Sequence, residues 1–248
     1  MVMVVVSFSV YAGAAGLQQG REGFDHPKAK HVKVLTKAKS MGTMSYGEKI
    51  TSTCWDYGDF AIVEYDIGEL GANKITIRYP SQKRPNVALC GTKYRGKSLR
   101  LKQFGASYFW GVVGDYIFVT GADSFGGERL FQIFSKGNGS KIFSATRNEG
   151  MPFILTKNSQ VVSLVFFKSL KVDCSIIKEG DACWKKIIKK NKISSQVAIE
   201  KPQCNLTFLR KHSSLDNRAQ LSTKVEIVNL QHAHVDFLGG HTTCEPSP

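Results

Sequence analysis

What this sequence lacks narrows its possibilities first. No apolar run reaches the roughly 20 residues that a membrane-spanning helix needs. The best candidates are residues 1–16 and Gln160 to Leu170, the second broken by Ser163 and Lys168. The six cysteines contain no C-x-x-C pair, the spacing that most structural zinc sites use. There is no G-x-S-x-G nucleophile elbow and no glycine loop closed by G-K-[ST], so neither an α/β-hydrolase nor a P-loop is indicated. No fixed-period repeat, heptad or low-complexity tract occurs, which argues against a solenoid or a regular propeller. Acidic residues are scarce, 20 Asp and Glu against 34 Lys and Arg, giving a net charge of +14 over 248 residues.

Composition is otherwise that of a globular protein, with 42% hydrophobic and 22% charged residues, and suggests neither disorder nor a membrane-embedded fold. The charge creates a positive potential that favours anionic partners. Lipopolysaccharide, acidic proteins, anionic wall polymers and nucleic acid all qualify, although a basic exported protein also needs no specific partner to be basic.

Residues 1–15 carry no charged side chain and run through Val2, Val4, Val5, Val6, Phe8, Val10 and Tyr11 into Ala12, Gly13, Ala14 and Ala15. This has the pattern of a signal-peptide core and its small-residue cleavage region. The Lys or Arg that normally precedes such a core is missing, as it would be if the start lay upstream of Met1. No cysteine follows the cleavage region, so a lipoprotein signal is absent. Export, to the periplasm or beyond the cell, makes the even set Cys54, Cys90, Cys174, Cys183, Cys204 and Cys244 a disulfide framework. Clustering suggests the sequential pairs Cys54 with Cys90, Cys174 with Cys183 and Cys204 with Cys244, while six cysteines leave other connectivities open.

Residues 16–44 read as a loosely ordered basic segment, with Val32 to Leu35 a first edge strand. Residues 45–248 read as one β-rich domain. Ala61 to Tyr65 is an apolar run, and Ile75, Ile77 and Tyr79 alternate with Lys74, Thr76 and Arg78 as in a half-buried strand. Further strand patterns lie at Phe104 to Val113, Tyr116 to Thr120, Arg129 to Phe134, Lys141 to Ala145, Val161 to Phe167, Lys224 to Leu230 and Ala233 to Leu238. Gly-rich or polar punctuation between them is turn chemistry. The expected fold is mainly β, an antiparallel sandwich, barrel or set of propeller-like sheets stabilised by disulfides. One short helix is expected at Asp181 to Lys190, where Trp184, Ile187 and Ile188 recur at helical spacing and Asp181 stands as N-cap.

The best-defined unit is Gly111, Val112, Val113, Gly114, Asp115, Tyr116, Ile117, Phe118, Val119, followed by Arg129-Leu130 and by Gly139, Ser140, Lys141, Ile142, Phe143. It resembles a family of exported bacterial proteins of unknown function, in which a G-x-x-G-D-Y-x-F-V strand leads through a glycine loop to an Arg-Leu strand and then a G-x-K-x-F strand. The paired cysteines around a Trp, in the stretch Cys174 to Trp184, and the late Cys244 are similar to that pattern. The resemblance implies export and a β fold and brings no catalytic residues. It also sets aside the sequons Asn138-Gly139-Ser140 and Asn205-Leu206-Thr207, which act only in a eukaryotic secretory pathway.

Three candidates could carry chemistry. The loop from Gly121 to Gly127, with Asp123 and Ser124, lacks both the P-loop ending and the alternating carboxylates of a calcium loop, so it reads as a hairpin turn. His232, His234 and Asp236 would share one face of a strand and, with His241, could hold zinc; the plainer reading is the wet face of an amphipathic strand. Lys185, Lys186, Lys189, Lys190 and Lys192 form the densest basic patch, able to dock on phosphates, or simply to solvate a helix. Aromatics fall inside strand patterns, which argues against base stacking and nucleic acid. The sequence therefore points to a non-enzymatic, cofactor-free binding protein whose basic surface meets an anionic envelope component or an acidic protein. A zinc-dependent hydrolase and a purely structural envelope protein are the alternatives.

Overall fold

The computed structural model describes residues 23–37, 49–66, 72–81, 88–91, 94–122, 127–158, 161–204 and 219–246. The apolar segment 1–15, Asp123 and Ser124 of the glycine loop, and the sequon at 205–207 lie outside these residues.

The chain is mainly β, and its strands pair antiparallel, most of them along one path with two more pairing beside it, in an arrangement that divides naturally into three meanders. The first holds β1 (Ala29–Lys37), β2 (Lys49–Asp56), β3 (Ala61–Asp66) and β4 (Ala72–Arg78), with the short β5 (Ser98–Arg100) against β4. The second holds β6 (Ser107–Val113), β7 (Tyr116–Gly121), β8 (Glu128–Ser135) and β9 (Lys141–Asn148). The third holds β10 (Phe153–Asn158), β11 (Val161–Ser169), β12 (Ala219–Ile227) and β13 (Asp236–Pro246). Adjacent meanders join through one residue pair each, Ala72 with Ser107 and Lys168 with Arg147.

The meanders pack face to face as in a sandwich, and neither barrel nor propeller closes. Trp55, Ile62, Ile75 and Ile77 of the first meet Phe109, Val112, Ile117 and Phe134 of the second. On the opposite face of that second meander, Trp110, Phe118, Phe131 and Ile133 meet Leu164, Phe166, Val225 and Ile227 of the third. The middle strands are thus covered on both sides. This explains why Tyr116 to Thr120 reads as a continuous apolar run rather than an alternation. Burying each large side chain here contributes about 1.5–3 kcal/mol.

Two thinner apolar layers cap the outer faces, and all three disulfides sit in them. Cys54–Cys90 ties β2 to the segment around Leu89, over Ala61 and Val63. Cys174–Cys183 and Cys204–Cys244 tie the helical region to itself and to β13, beside Leu170, Ile187 and Leu221. Thin layers bury little apolar area, and crosslinks supply what such small cores cannot. The sequential pairing is the one observed.

Several sequence-based expectations are corrected. In β4 the alternation departs at one position: Ile75 and Ile77 are inaccessible and Lys74 is exposed, as in a half-buried strand, but Thr76 on the outward face is only 7% exposed. Among the described residues there are two helices, not one. The single turn α1 (Ile176–Glu179) is capped by Ser175, whose Oγ accepts from Lys178 N at 3.3 Å while Glu179 accepts from Ser175 N at 3.2 Å. Gly180, at φ +54°, ends α1 and stands as N-cap of α2 (Asp181–Lys190), so Asp181 is the first helical residue and not the cap. The run Ala233 to Leu238 is not one strand, since residues 230–233 form a turn with Ala233 at φ +47° and β13 starts at Asp236.

Residues 23–37, which fall within the segment expected to be loose, belong to the fold. The expected edge strand at Val32 to Leu35 lies inside the longer β1. Phe24 is 8% exposed and packs on Trp110 and Phe118, with ring centroids at 5.7 and 5.2 Å. Asp25 N donates to Val112 O, and Asp25 Oδ2 accepts from Gly114 N, both at 2.7 Å; Oδ1 pairs with Lys157 at 3.2 Å. Lys28 N then donates to Asp56 O at 2.7 Å. This strap touches all three meanders.

Candidate functional site

α2 is an amphipathic helix whose inner face explains its place. Cys183 and Ile187 are fully buried against Leu170, Ile193 and Leu221, one turn apart as i and i+4 must be. The periodicity leaves Lys185, Lys186, Lys189 and Lys190 on the exposed side, with Lys192 exposed just beyond the helix. The sequence thus placed the helix and its basic face correctly.

Two of these lysines have partners, Lys186 with Glu179 at 2.9 Å and Lys190 with Asp173 at 2.8 Å. Lys201 similarly meets Asp181 at 2.5 Å. In each case the lysine hydrogen bond holds the carboxyl below its usual range, but pairs this exposed contribute little stability. Lys185, Lys189 and Lys192 make no hydrogen bond or ion pair among the described residues. Residues 171–201 carry eight lysines against Asp173, Glu179, Asp181 and Glu200, so the local potential stays positive after pairing. Lys189 and Lys190 also lie in the last turn, where cations complement the helix dipole.

The four proposed zinc ligands do not converge. His232 sits in the turn after Asn229, His234 Nε2 meets Asp236 Oδ1 at 3.3 Å, and His241 Nδ1 meets Glu200 Oε2 at 2.6 Å. Between Thr223 and Val225 the β12–β13 register shifts, and the extra residues of β13 include Gly239 and Gly240 at φ +76° and +82°. Gly240 bridges to Ile199, which carries His241 toward Glu200 and away from His234. Among the described residues no three His, Cys, Asp or Glu side chains form a group that could hold a metal. Glu200 was not visible as a partner from sequence, because a bulge chose it.

The glycine motif proves to be structural chemistry. Gly114, at φ +56°, takes the first central position of the two-residue turn joining β6 to β7, the place where such hairpins need glycine. A Cβ on Gly111 would lie 2.5 Å from the Phe24 ring, so its missing side chain is the slot that Phe24 fills. Asp115 pairs with Lys136 at 3.3 Å across the neighbouring hairpin.

Sequence reasoning missed a pocket of about 120 Å³ where the strap crosses between the first two meanders, lined by Phe24, Asp25, His26, Lys30, Trp55, Tyr57, Phe109 and Trp110 among others. Its walls come from three separate stretches of chain, so only the two motif glycines hinted that something packs closely there. On its far side Trp110 carries the Arg147 guanidinium at 4.8 Å. Burial pushes the acidity of Arg147 up, lowering its pKa, while Glu149 opposes that shift and Arg129 adds to it.

Among the described residues no helix is long and apolar enough to cross a membrane. No family model, curated protein or solved structure matches this chain.

Proposed function

We propose that this is an exported, non-enzymatic binding protein that engages an anionic envelope component through the lysine face of α2. One observation carries the reading: Lys185 and Lys189 on a helix stapled by Cys174–Cys183, with Lys192 just beyond it, are exposed and make no ion pair among the described residues. A stapled helix loses little conformational freedom on binding, which favours affinity. Export is supported by the apolar residues 1–15 and by three disulfides, which persist in oxidising compartments. The resemblance of the Gly111 to Phe143 segment to exported bacterial proteins supports it further.

The test is co-sedimentation of the full chain with vesicles of phosphatidylglycerol and phosphatidylcholine. Each lysine near an anionic surface is worth about 1 kcal/mol, so Lys185→Ala/Lys189→Ala/Lys192→Ala should weaken binding on the order of a hundredfold. Binding should also fall steeply with salt. Equal binding by the triple variant would overturn the assignment of α2.

A further inference from the structure

β1 sets exposed apolar residues, which edge strands normally avoid, among the lysines that such strands commonly carry. Val32, Val34 and Leu35 are 62%, 53% and 40% exposed, while Lys30, His31 and Lys33 beside them are exposed as well. Among the described residues β1 pairs with β2 alone. Alternate backbone N–H and C=O groups along its other edge therefore lack a strand partner. Val32 and Val34 lie on the same face as Lys30 and its partner Trp55, and His31 and Lys33 on the other, while Leu35 is the extra residue where the β1–β2 register shifts. Between Lys30 and Lys37, and along the paired residues Lys49 to Trp55, the sequence carries no carboxylate.

We infer that β1 is a docking edge for an extended segment of a partner protein, one alternating acidic with β-branched apolar residues, which adds to the sheet as a further strand. Charge excludes the nearest competitor, a second copy of this chain. Two β1 strands side by side would each bring three lysines and no carboxylate, and like charges facing across strands are destabilising. Lysines on an edge are the usual guard against self-pairing; the same guard becomes an attraction for an acidic strand. An anionic polymer could neutralise the lysines but would leave Val32 and Val34 in water and the edge N–H and C=O groups without a complementary backbone. A polypeptide strand satisfies all three, with main-chain hydrogen bonds giving affinity and alternate side chains giving specificity. The inference concerns a surface separate from α2 and does not depend on the reading of that helix.

The probe is a fluorescein-labelled peptide alternating valine and glutamate, titrated by anisotropy into the full chain, with amide NMR to map contacts. Saturable binding is expected, with shifts and slowed amide exchange confined to residues 30–35 and 50–55. Lys30→Glu/Lys33→Glu should weaken it by about tenfold, at up to about 1 kcal/mol for each cross-strand charge pair. The same variant should gain binding to a peptide alternating valine and lysine, which also shows that it folds. Lys185→Ala/Lys189→Ala/Lys192→Ala should bind the acidic peptide as the parent does. The inference fails if no saturable binding occurs, if the charge reversal leaves affinity unchanged, or if shifts map to α2. It fails equally if the chain self-associates through β1 instead.

Discussion

The slot that Gly111 provides for Phe24 makes a quantitative prediction. Replacing Gly111 by Ala puts a methyl 2.5 Å from the Phe24 ring. Phe24 cannot swing aside, because Trp110 and Phe118 hold it at 5.7 and 5.2 Å. Overpacking of this kind costs about 1–3 kcal/mol, and Phe24→Ala alone should cost about 3–5 kcal/mol through the lost burial and the cavity left behind. Once Phe24 is gone the clash disappears. Gly111→Ala should then be neutral or stabilising by about 0.5–1 kcal/mol, the ordinary gain from removing a strand glycine. The double variant should therefore be more stable than the sum of the single losses by about 1–4 kcal/mol, outside the ~0.5 kcal/mol scatter of independent sites. Urea unfolding followed by tryptophan fluorescence gives the midpoints and slopes needed. If Gly111→Ala costs the same with and without Phe24, the packing argument for the motif is wrong.

Two further expectations concern burial and crosslinks. Burial raises the Glu128 carboxyl above its ordinary 4.5. The folded state then holds its proton more tightly than the unfolded chain, so this group's contribution falls as pH rises from about 4.5 through the raised folded value. Glu128→Gln should accordingly stabilise the protein at pH 7 and confer no advantage at pH 3.5, as thermal melts at the two pH values will register. Native protein should resist alkylation at every cysteine, and Cys174→Ser/Cys183→Ser should lose about 2.5 kcal/mol for its short loop against about 4 kcal/mol for Cys54→Ser/Cys90→Ser. Equal losses in urea titrations would count against a loop-entropy origin.

Periodicity made much of this fold legible. The dense strands β3, β6, β7, β8 and β11 announce themselves because their apolar residues fill cores on one or both faces. Hidden strands are those with weak patterns: β2 reads Lys49, Ile50, Thr51, Ser52, Thr53 before reaching Cys54, and β5 has three residues. α1 is a single turn, too short for periodicity to register. At the candidate sites, the lysine face of α2 was readable because helical spacing is local. The histidines were not, since a register shift and two glycines at positive φ decide where His241 points, and nothing in the alternation of residues 231–238 signals either. The aromatic pocket needed the three-dimensional meeting of Phe24, Trp55 and Trp110, which no local pattern encodes.

The strap from Phe24 to Lys28 also bears on how the chain is made. Its partners Gly114 and Lys157 lie 89 and 132 residues downstream of Asp25. In a chain that emerges from its N-terminus, residues 24–28 appear before the second and third meanders and must wait for them before they can dock. The first part out becomes the last part seated, and its closure locks three separately formed layers into one stack. Any factor that holds residues 24–28 back would delay that closure without touching the layers themselves.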